Sequence, residues 1–299
     1  MKYGDAAAFR MALEQRLRDQ APDGASLARD RKRVAFGRLL ARLVTVAEGR
    51  WVLKGGFALD LRLDARARST KDVDIEWRAP EGEMMDALLD AAAEEEGDYF
   101  AFTIERTGAP EDRLGGSHRF RISASLAGRP FETFFLDVGF RPDGSLGSEP
   151  LLTDELLGFA GIAPVRIEAV PLELQLAEKL HAYTRIYEGG RESTRVKDLV
   201  DLVLITELSR PDAAALGREV RTIFALRGTH PPPLLLPTPA TGWTIPFRRL
   251  ALEVGIAPGL EAGHREAAAM LDPVLSGEVT EGKWSPANRA WPEGTSERH

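Results

Sequence analysis

Residues 51–77 read WVLKGGFALDLRLDARARSTKDVDIEW. Trp51, Val52 and Leu53 are a short apolar run that predicts a buried strand, Lys54, Gly55 and Gly56 break it, and FALDLRL then begins a helix. Glycines at such a turn let the backbone approach a ligand closely, and the free N–H groups of the following helix make an anion site. At the far end Val73, Ile75 and Trp77 alternate with Asp72, Asp74 and Glu76. A period of two places the three apolar side chains on one strand face and the three carboxylates on the other. Packing does not call for this, because like charges two residues apart on one face repel unless a cation lies between them. A divalent metal is the simplest such cation. Between the glycines and this strand lie fifteen residues, 57–71, ending in the small, polar, basic loop ARARSTK. Its Arg66, Arg68, Ser69, Thr70 and Lys71 are candidates for touching phosphates.

Working outward, 299 residues at 43% hydrophobic suit two lobes, with the boundary where the character changes from strands to helices at Pro171. The expected division is 1–170, a core lobe with N-terminal helices, and 171–299, a helical lobe. No run approaches eighteen apolar residues, and the N-terminus carries acids where a signal peptide carries an apolar core. The expectation is a soluble cytoplasmic protein with no membrane partner. The absence of cysteine excludes disulfides, thiolate metal sites and cysteine nucleophiles, and the five histidines (118, 181, 230, 264 and 299) show no metal-ligand spacing. A net charge of −7 argues against a general nucleic-acid coat, so any nucleic-acid contact must be a local basic patch.

Upstream, Phe9, Leu13 and Leu17 mark a helix over 5–19, and Ser26 is the expected N-cap of a longer one reaching about Glu48. The second carries Arg29, Arg31, Lys32, Arg33, Arg38 and Arg42. These are either a solvated face or an anion-binding flank beside the active site. After Pro80 a helix to about Glu96 has Met85, Leu88, Leu89 and Ala92 as its apolar stripe. Two alternating strands follow, with Phe120, Ile122, Ala124 and Leu126 inward on one, and Phe134, Leu136, Val138 and Phe140 on the next; Gly128 and Arg129 read as the hairpin turn between them. Asp137 lies on the opposite face of the second strand. It is either a solvated acid near a strand end or a third carboxylate beside Asp72 and Asp74.

In the second lobe, LELQLAEKLHAYTRIY (172–187) is a helix with Leu172, Leu176, Leu180 and Tyr183 as its stripe, and position alone makes Lys179 a surface lysine at its edge. A polar loop, EGGREST, leads to the helix VKDLVDLVLITEL, where Asp198 and Asp201 sit one turn apart on one face. HPPPLLLPTP (230–239) must be an extended connector. Helices over about 244–254 and 260–274 finish the fold, with a loosely held end from about Ser276.

A glycine turn, an Asp-x-Asp strand and a later strand carboxylate describe a way to hold two Mg²⁺ ions on oxygen ligands, here Asp72, Asp74 and either Asp137 or Glu76. No GxxxxGK[ST] loop and no GxSxG elbow is present. Nucleotidyl transfer of the polymerase-β kind therefore fits better than ATPase or hydrolase chemistry. The expected fold is α+β, a polymerase-β-like nucleotidyltransferase core with a mixed sheet, plus the helical C-terminal lobe.

The blocks LKGGFALDLRL…RSTKDVDIEW and LQLAEKLHAYTRIYEGGRESTRVKDLVDLVLI together resemble the AbiEii/AbiGii (MenT-like) nucleotidyltransferase toxins of type IV toxin–antitoxin systems. The likeness covers about residues 30–205, with a longer spacer between the glycines and the Asp-x-Asp strand than in the wider superfamily. Carried over by position, the resemblance implies that Lys54 and Lys179 contact nucleotide phosphates and that Gly55 and Gly56 are the family's glycine turn, while Lys71 joins the nucleotide-binding candidates from the basic loop itself. It makes Asp72 and Asp74 the metal ligands and Asp198 an active-site acid. It also implies Mg²⁺ as cofactor, a nucleoside triphosphate as substrate, and a cognate antitoxin as partner. The acceptor it implies is RNA, most plausibly the tRNA 3′ end, with aminoacylation and translation blocked. Some members are silenced by phosphorylation of a serine just before the Lys-Asp pair; here Thr70 stands there, preceded by Ser69. Two rivals stand beside this reading. One is a same-fold enzyme that modifies a small molecule or a protein hydroxyl, in the manner of aminoglycoside nucleotidyltransferases or AMPylators. The other is a non-catalytic binding module, against which the presence of Asp72, Asp74, Lys54 and Lys179 together argues.

Overall fold

The computed structural model describes residues 1–63, 66–107, 117–141, 147–185 and 195–292. It divides into two compact units, one formed by Met1–Arg62 and Ser69–Val170, the other by Leu63–Arg68 and Pro171–His299. The polar loop EGGREST lies outside the described residues.

In the first unit, α1 (Ala6–Gln20) and α2 (Gly24–Ala47) precede β1 (Trp51–Lys54), α3 (Gly55–Arg62) and β2 (Asp72–Trp77). There follow α4 (Met84–Ala93), β3 (Phe100–Arg106), β4 (His118–Leu126), β5 (Arg129–Phe140), β6 (Glu149–Leu152) and β7 (Arg166–Ala169). Among the described residues these strands make one mixed sheet in the order β3-β4-β5-β2-β1-β7-β6. β2 is central, antiparallel to β1 and parallel to β5. A central strand that alternates apolar and acidic residues must cover one face and leave the other polar. Val73, Ile75 and Trp77 are fully buried in a core shared with Phe36 of α2, Phe57 of α3 and Phe134 of β5. Phe36 meets Phe134 and Phe57 edge-on at 4.7 and 5.0 Å between ring centroids. The turn between β4 and β5 is made by Ala127 and Gly128, at φ of 51° and 69°, one residue earlier than the sequence reading placed it.

The structure corrects three expectations in this unit. The cap of α2 is Asp23, whose carboxylate accepts from the Ser26 N–H at 2.7 Å, so Ser26 is the capped residue and not the cap. The buried stripe of α4 is Met84, Ala87, Leu88 and Ala91, while Leu89 is half exposed. Of the basic residues of α2, Arg29, Arg31 and Lys32 are half-buried, and the other three are neither a solvated face nor an anion-binding flank. Arg33, Arg38 and Arg42 are buried. Arg42 donates to both carboxylate oxygens of Asp98, at 2.7 and 3.0 Å, and Arg38 pairs with the same acid. Arg33 bridges Asp60 and Asp154. Burial lifts the Asp60 carboxyl to about 6 despite Arg33 and Arg29. These arginines are consumed by the interior.

The second unit is helical: α5 (Leu172–Thr184), α6 (Val196–Leu208), α7 (Ala213–Arg227), α8 (Thr244–Val254) and α9 (Leu260–Leu275). The α7 helix was absent from the sequence reading, although Asp212 caps its start and Gly228, at φ 59°, closes it. The segment 230–239 forms neither helix nor strand, as its prolines require. The chain beyond Ser276 is held as far as Trp291, against expectation. Trp284 and Trp291 are buried and donate their indole N–H groups to the carbonyls of Thr206 and Met270 at 2.8 and 2.9 Å.

Candidate active site

The register of the sheet brings together side chains that are far apart in sequence. Arg119 on β4 lies opposite Asp137 on β5, Asp137 opposite Asp74 on β2, and Asp74 opposite Lys54 on β1. Partners in adjacent strands project from the same face, so one row across four strands reads cation, anion, anion, cation. One step along, Phe135 lies opposite Asp72 and Arg121 opposite Phe135. In the other direction Glu76 faces Gly139 and Val52.

Local chemistry explains how these charges fit. Lys54 Nζ pairs with Glu76, and the pair lies over Gly139, where a Cβ would come within 2.8 Å of Glu76 Oε2 and 3.0 Å of Lys54 Nζ. Glu76 is buried by this arrangement and engaged by a lysine. Of the two candidates for a third metal ligand, Asp137 is the one directly beside Asp74. Gly55 has a φ of +70°, and a Cβ there would lie 2.7 Å from the Asp74 Cγ and nearer still to Oδ2. The Asp74 carboxylate thus rests against the bare backbone of the turn, which only glycine allows. A Cβ on Gly56 would meet Thr70 Oγ1 at 2.8 Å, so the second glycine admits the loop ahead of β2. Thr70 Oγ1 in turn donates to the Asp72 carbonyl at 3.1 Å, while Ser69 and Lys71 are exposed.

Arg119 closes the acidic side. Its Nε donates to Asp137 Oδ1 at 2.8 Å, and its terminal nitrogen lies 3.2 Å from both Asp137 Oδ2 and Asp72 Oδ2. Its guanidinium stacks 4.6 Å from the Phe135 ring centroid. Desolvation opposes the charge, but hydrogen bonding to Asp137 and the charges of Asp137, Asp72 and Asp74 raise the Arg119 pKa above its ordinary value. Asp72 and Asp137 therefore converge on one cation, a guanidinium. Among the described residues no three carboxylate or histidine side chains are grouped to hold a metal. The donor chemistry nonetheless fits Mg²⁺, which binds through one or two carboxylates with substrate phosphates and water completing the shell.

Lys179 and Asp198 belong to the second unit, and Lys179 is buried there, not at the surface. Its Nζ donates to Asp201 Oδ2 at 2.5 Å and lies 4.0 Å from Asp198 Oδ1. Arg68, a candidate for phosphate contact, pairs with the same fully buried Asp201: its terminal nitrogen donates to Oδ2 at 3.1 Å, and its Nε lies 3.1 Å from Oδ1 without a hydrogen bond. Asp198 has one buried oxygen, Oδ2, with no hydrogen-bond partner among the described residues. Burial raises its pKa against the pull of Lys179, with Asp201 adding to the rise.

Sequence reasoning missed Arg119, the pairing of Glu76 with Lys54, and Asp201 as the anchor of Lys179. The signal for Arg119 was present, since Arg119 and Arg121 alternate with Phe120 and Ile122 and must share the face of Asp137. Nothing local marks Asp201 above Asp198.

MenT4, a nucleotidyltransferase toxin of Mycobacterium tuberculosis H37Rv, superposes with a TM-score of 0.54 at 19% identity, over 89% of this chain and 98% of that one. JHP933 from Helicobacter pylori is similar at a TM-score of 0.48 and 16% identity, over 83% of this chain and 93% of that one. The family model for the nucleotidyl transferase AbiEii toxin of type IV toxin–antitoxin systems matches residues 38–282. The chain belongs to that family. It is a nucleotidyltransferase toxin, with a nucleoside triphosphate as substrate and an antitoxin as partner. No curated protein sequence matches it. No described helix is long and apolar enough to cross a membrane.

Proposed function

We propose that the enzyme transfers a nucleoside monophosphate from a nucleoside triphosphate to an RNA hydroxyl, that of the tRNA 3′ end, and so blocks aminoacylation and translation. The acceptor oxygen bonds to the α-phosphorus, the bond from that phosphorus to the β-phosphate oxygen breaks, pyrophosphate departs, and the hydroxyl proton is lost to water. The observation carrying this reading is the row Arg119, Asp137, Asp74, Lys54 beside the glycine turn. It sets two carboxylates between two cations on one face of the sheet, which is the electrostatic need of a reaction that moves a triphosphate. Asp72, Asp74 and Asp137 would hold Mg²⁺, which supplies charge neutralisation at the triphosphate. Lys54, Lys71, Gly55 and Gly56 would position phosphates in the first unit. In the second, Lys179 would add a phosphate contact oriented by Asp201, and Asp198 would be the acid of the helical unit.

The burial of Arg33, Arg38 and Arg42 favours a second reading, because it leaves only Arg29, Arg31 and Lys32 of the basic residues of α2 to meet tRNA. In that reading the acceptor is a small molecule or a protein hydroxyl. Incubating the purified protein with total RNA and each α-labelled nucleoside triphosphate in turn separates the two. Label in tRNA-sized RNA, lost with Asp72→Ala, supports the first; label in protein or small molecules, with RNA unlabelled, supports the second and overturns the first.

Control by phosphorylation belongs to the same proposal. A phosphate on Thr70, or on Ser69 beside it, would bring close to two negative charges to the carbonyl of Asp72, where Lys71 could pair with it and the triphosphate would be opposed.

A further inference from the structure

We propose that Arg119 is an exchangeable counter-cation: it holds Asp72 and Asp137 when no metal is bound, yields them to the metal, and then turns its guanidinium to the phosphates of the nucleotide. This rests on the nucleotidyl-transfer reading above, which places Arg119 in its row of charges and gives it no task of its own.

The observations are geometric. One guanidinium spans two carboxylates on different strands, at 2.8 and 3.2 Å to Asp137 and 3.2 Å to Asp72. Those carboxylates are the ones a divalent ion would take, and a guanidinium within hydrogen-bond distance of both adds positive charge where the ion would sit. With Arg119 in place the row of Arg119, Asp137, Asp74 and Lys54 sums to zero charge, while Asp72 and Glu76 add two further carboxylates to the same face. Lys54 is committed to Glu76 over Gly139, whereas Arg119 is 42% exposed and so the more readily displaced of the two cations. Its stack on Phe135 gives the side chain a resting surface when the carboxylates are lost, with Arg121 also over that ring at 5.9 Å. A guanidinium released there is a planar fork suited to phosphate oxygens. Removing any cation at this site favours the metal, so the mark of exchange is stronger metal binding together with weaker nucleotide binding once the metal is in place.

The test uses the full chain without nucleotide, with Mn²⁺ as the probe and the free-ion paramagnetic resonance signal as the readout. Arg119→Gln should bind Mn²⁺ about tenfold more tightly than wild type, and Arg119→Lys, which keeps charge but cannot fork across two acids, should fall between. At saturating Mn²⁺, Arg119→Gln should bind a non-hydrolysable nucleoside triphosphate about tenfold more weakly. Circular dichroism confirms that the variants fold. Equal or weaker Mn²⁺ binding by Arg119→Gln, or undiminished nucleotide binding, overturns the inference while leaving the transfer reading in place. Mn²⁺ binding by neither wild type nor variant overturns the metal assignment and this inference together.

Discussion

Gly55→Ala separates the catalytic demand on the turn from its backbone demand. Gly55 has a φ of +70°, and alanine there costs about 1–2 kcal/mol of left-handed strain. The same strain arises at Gly49, at φ +73°, where a Cβ would meet nothing within 4 Å. The two substitutions differ in what the new methyl touches. At Gly55 it would lie 2.7 Å from the Asp74 Cγ and 2.8 Å from its Cβ, so the carboxylate must retreat by roughly 1 Å to reach ordinary carbon–carbon contact. A displacement of that size at a reacting centre costs on the order of 100-fold in rate. Urea unfolding should therefore show both variants destabilised by about 1–2 kcal/mol. Transfer of labelled nucleotide should fall about 100-fold in Gly55→Ala and by less than about twofold in Gly49→Ala when both are assayed well below their melting temperatures. Equal activity in the two variants would refute the argument that the bare backbone of the turn seats Asp74.

Asp72→Ala and Asp74→Ala should each abolish transfer and toxicity while shifting stability by no more than about 1 kcal/mol, since partly exposed ion pairs contribute little; a double variant still toxic at equal expression refutes the metal role. Asp201→Asn should cost about 3–5 kcal/mol in urea unfolding, because it leaves Lys179 and Arg68 facing an amide in a buried site, and a loss under about 1 kcal/mol would show that the cluster is solvated. His181 is buried beside Phe224 and His230, and burial first, then His230, Arg227 and Arg185, lower its pKa to about 4. As pH falls, the unfolded chain takes up this proton before the folded one does. The stability is full above pH about 6.5 and declines toward pH about 4, so His181→Gln should lose less stability than wild type between pH about 7.5 and about 5. Identical pH slopes would remove His181 from the account. Thr70→Glu should be folded but inactive, and the protein co-expressed with its antitoxin should carry one phosphate by intact mass on Thr70 or Ser69. A fully active Thr70→Glu would point instead to inhibition by direct binding.

The alternation in DVDIEW could be read without coordinates, because a strand's period of two is a property of the chain itself. The same holds for the glycine turn and for the apolar faces of β4 and β5. These readings, with the second block around AEKL and KDLVDL, were enough to indicate the family. Other features depend on partners distant in sequence. That Asp137 meets Asp74 depends on which strands are neighbours, a choice made by the packing of the whole sheet. That Arg33, Arg38 and Arg42 are interior depends on Asp60, Asp98 and Asp154 arriving from later in the chain, since an arginine pattern on a helix looks the same whether water or a carboxylate faces it. Lys179 looks like an edge lysine until α6 and Arg68 enclose it around Asp201. Apolar periodicity is written locally because each residue answers to solvent on its own, whereas the fate of a charge is settled by the partner that tertiary structure brings within about 3 Å.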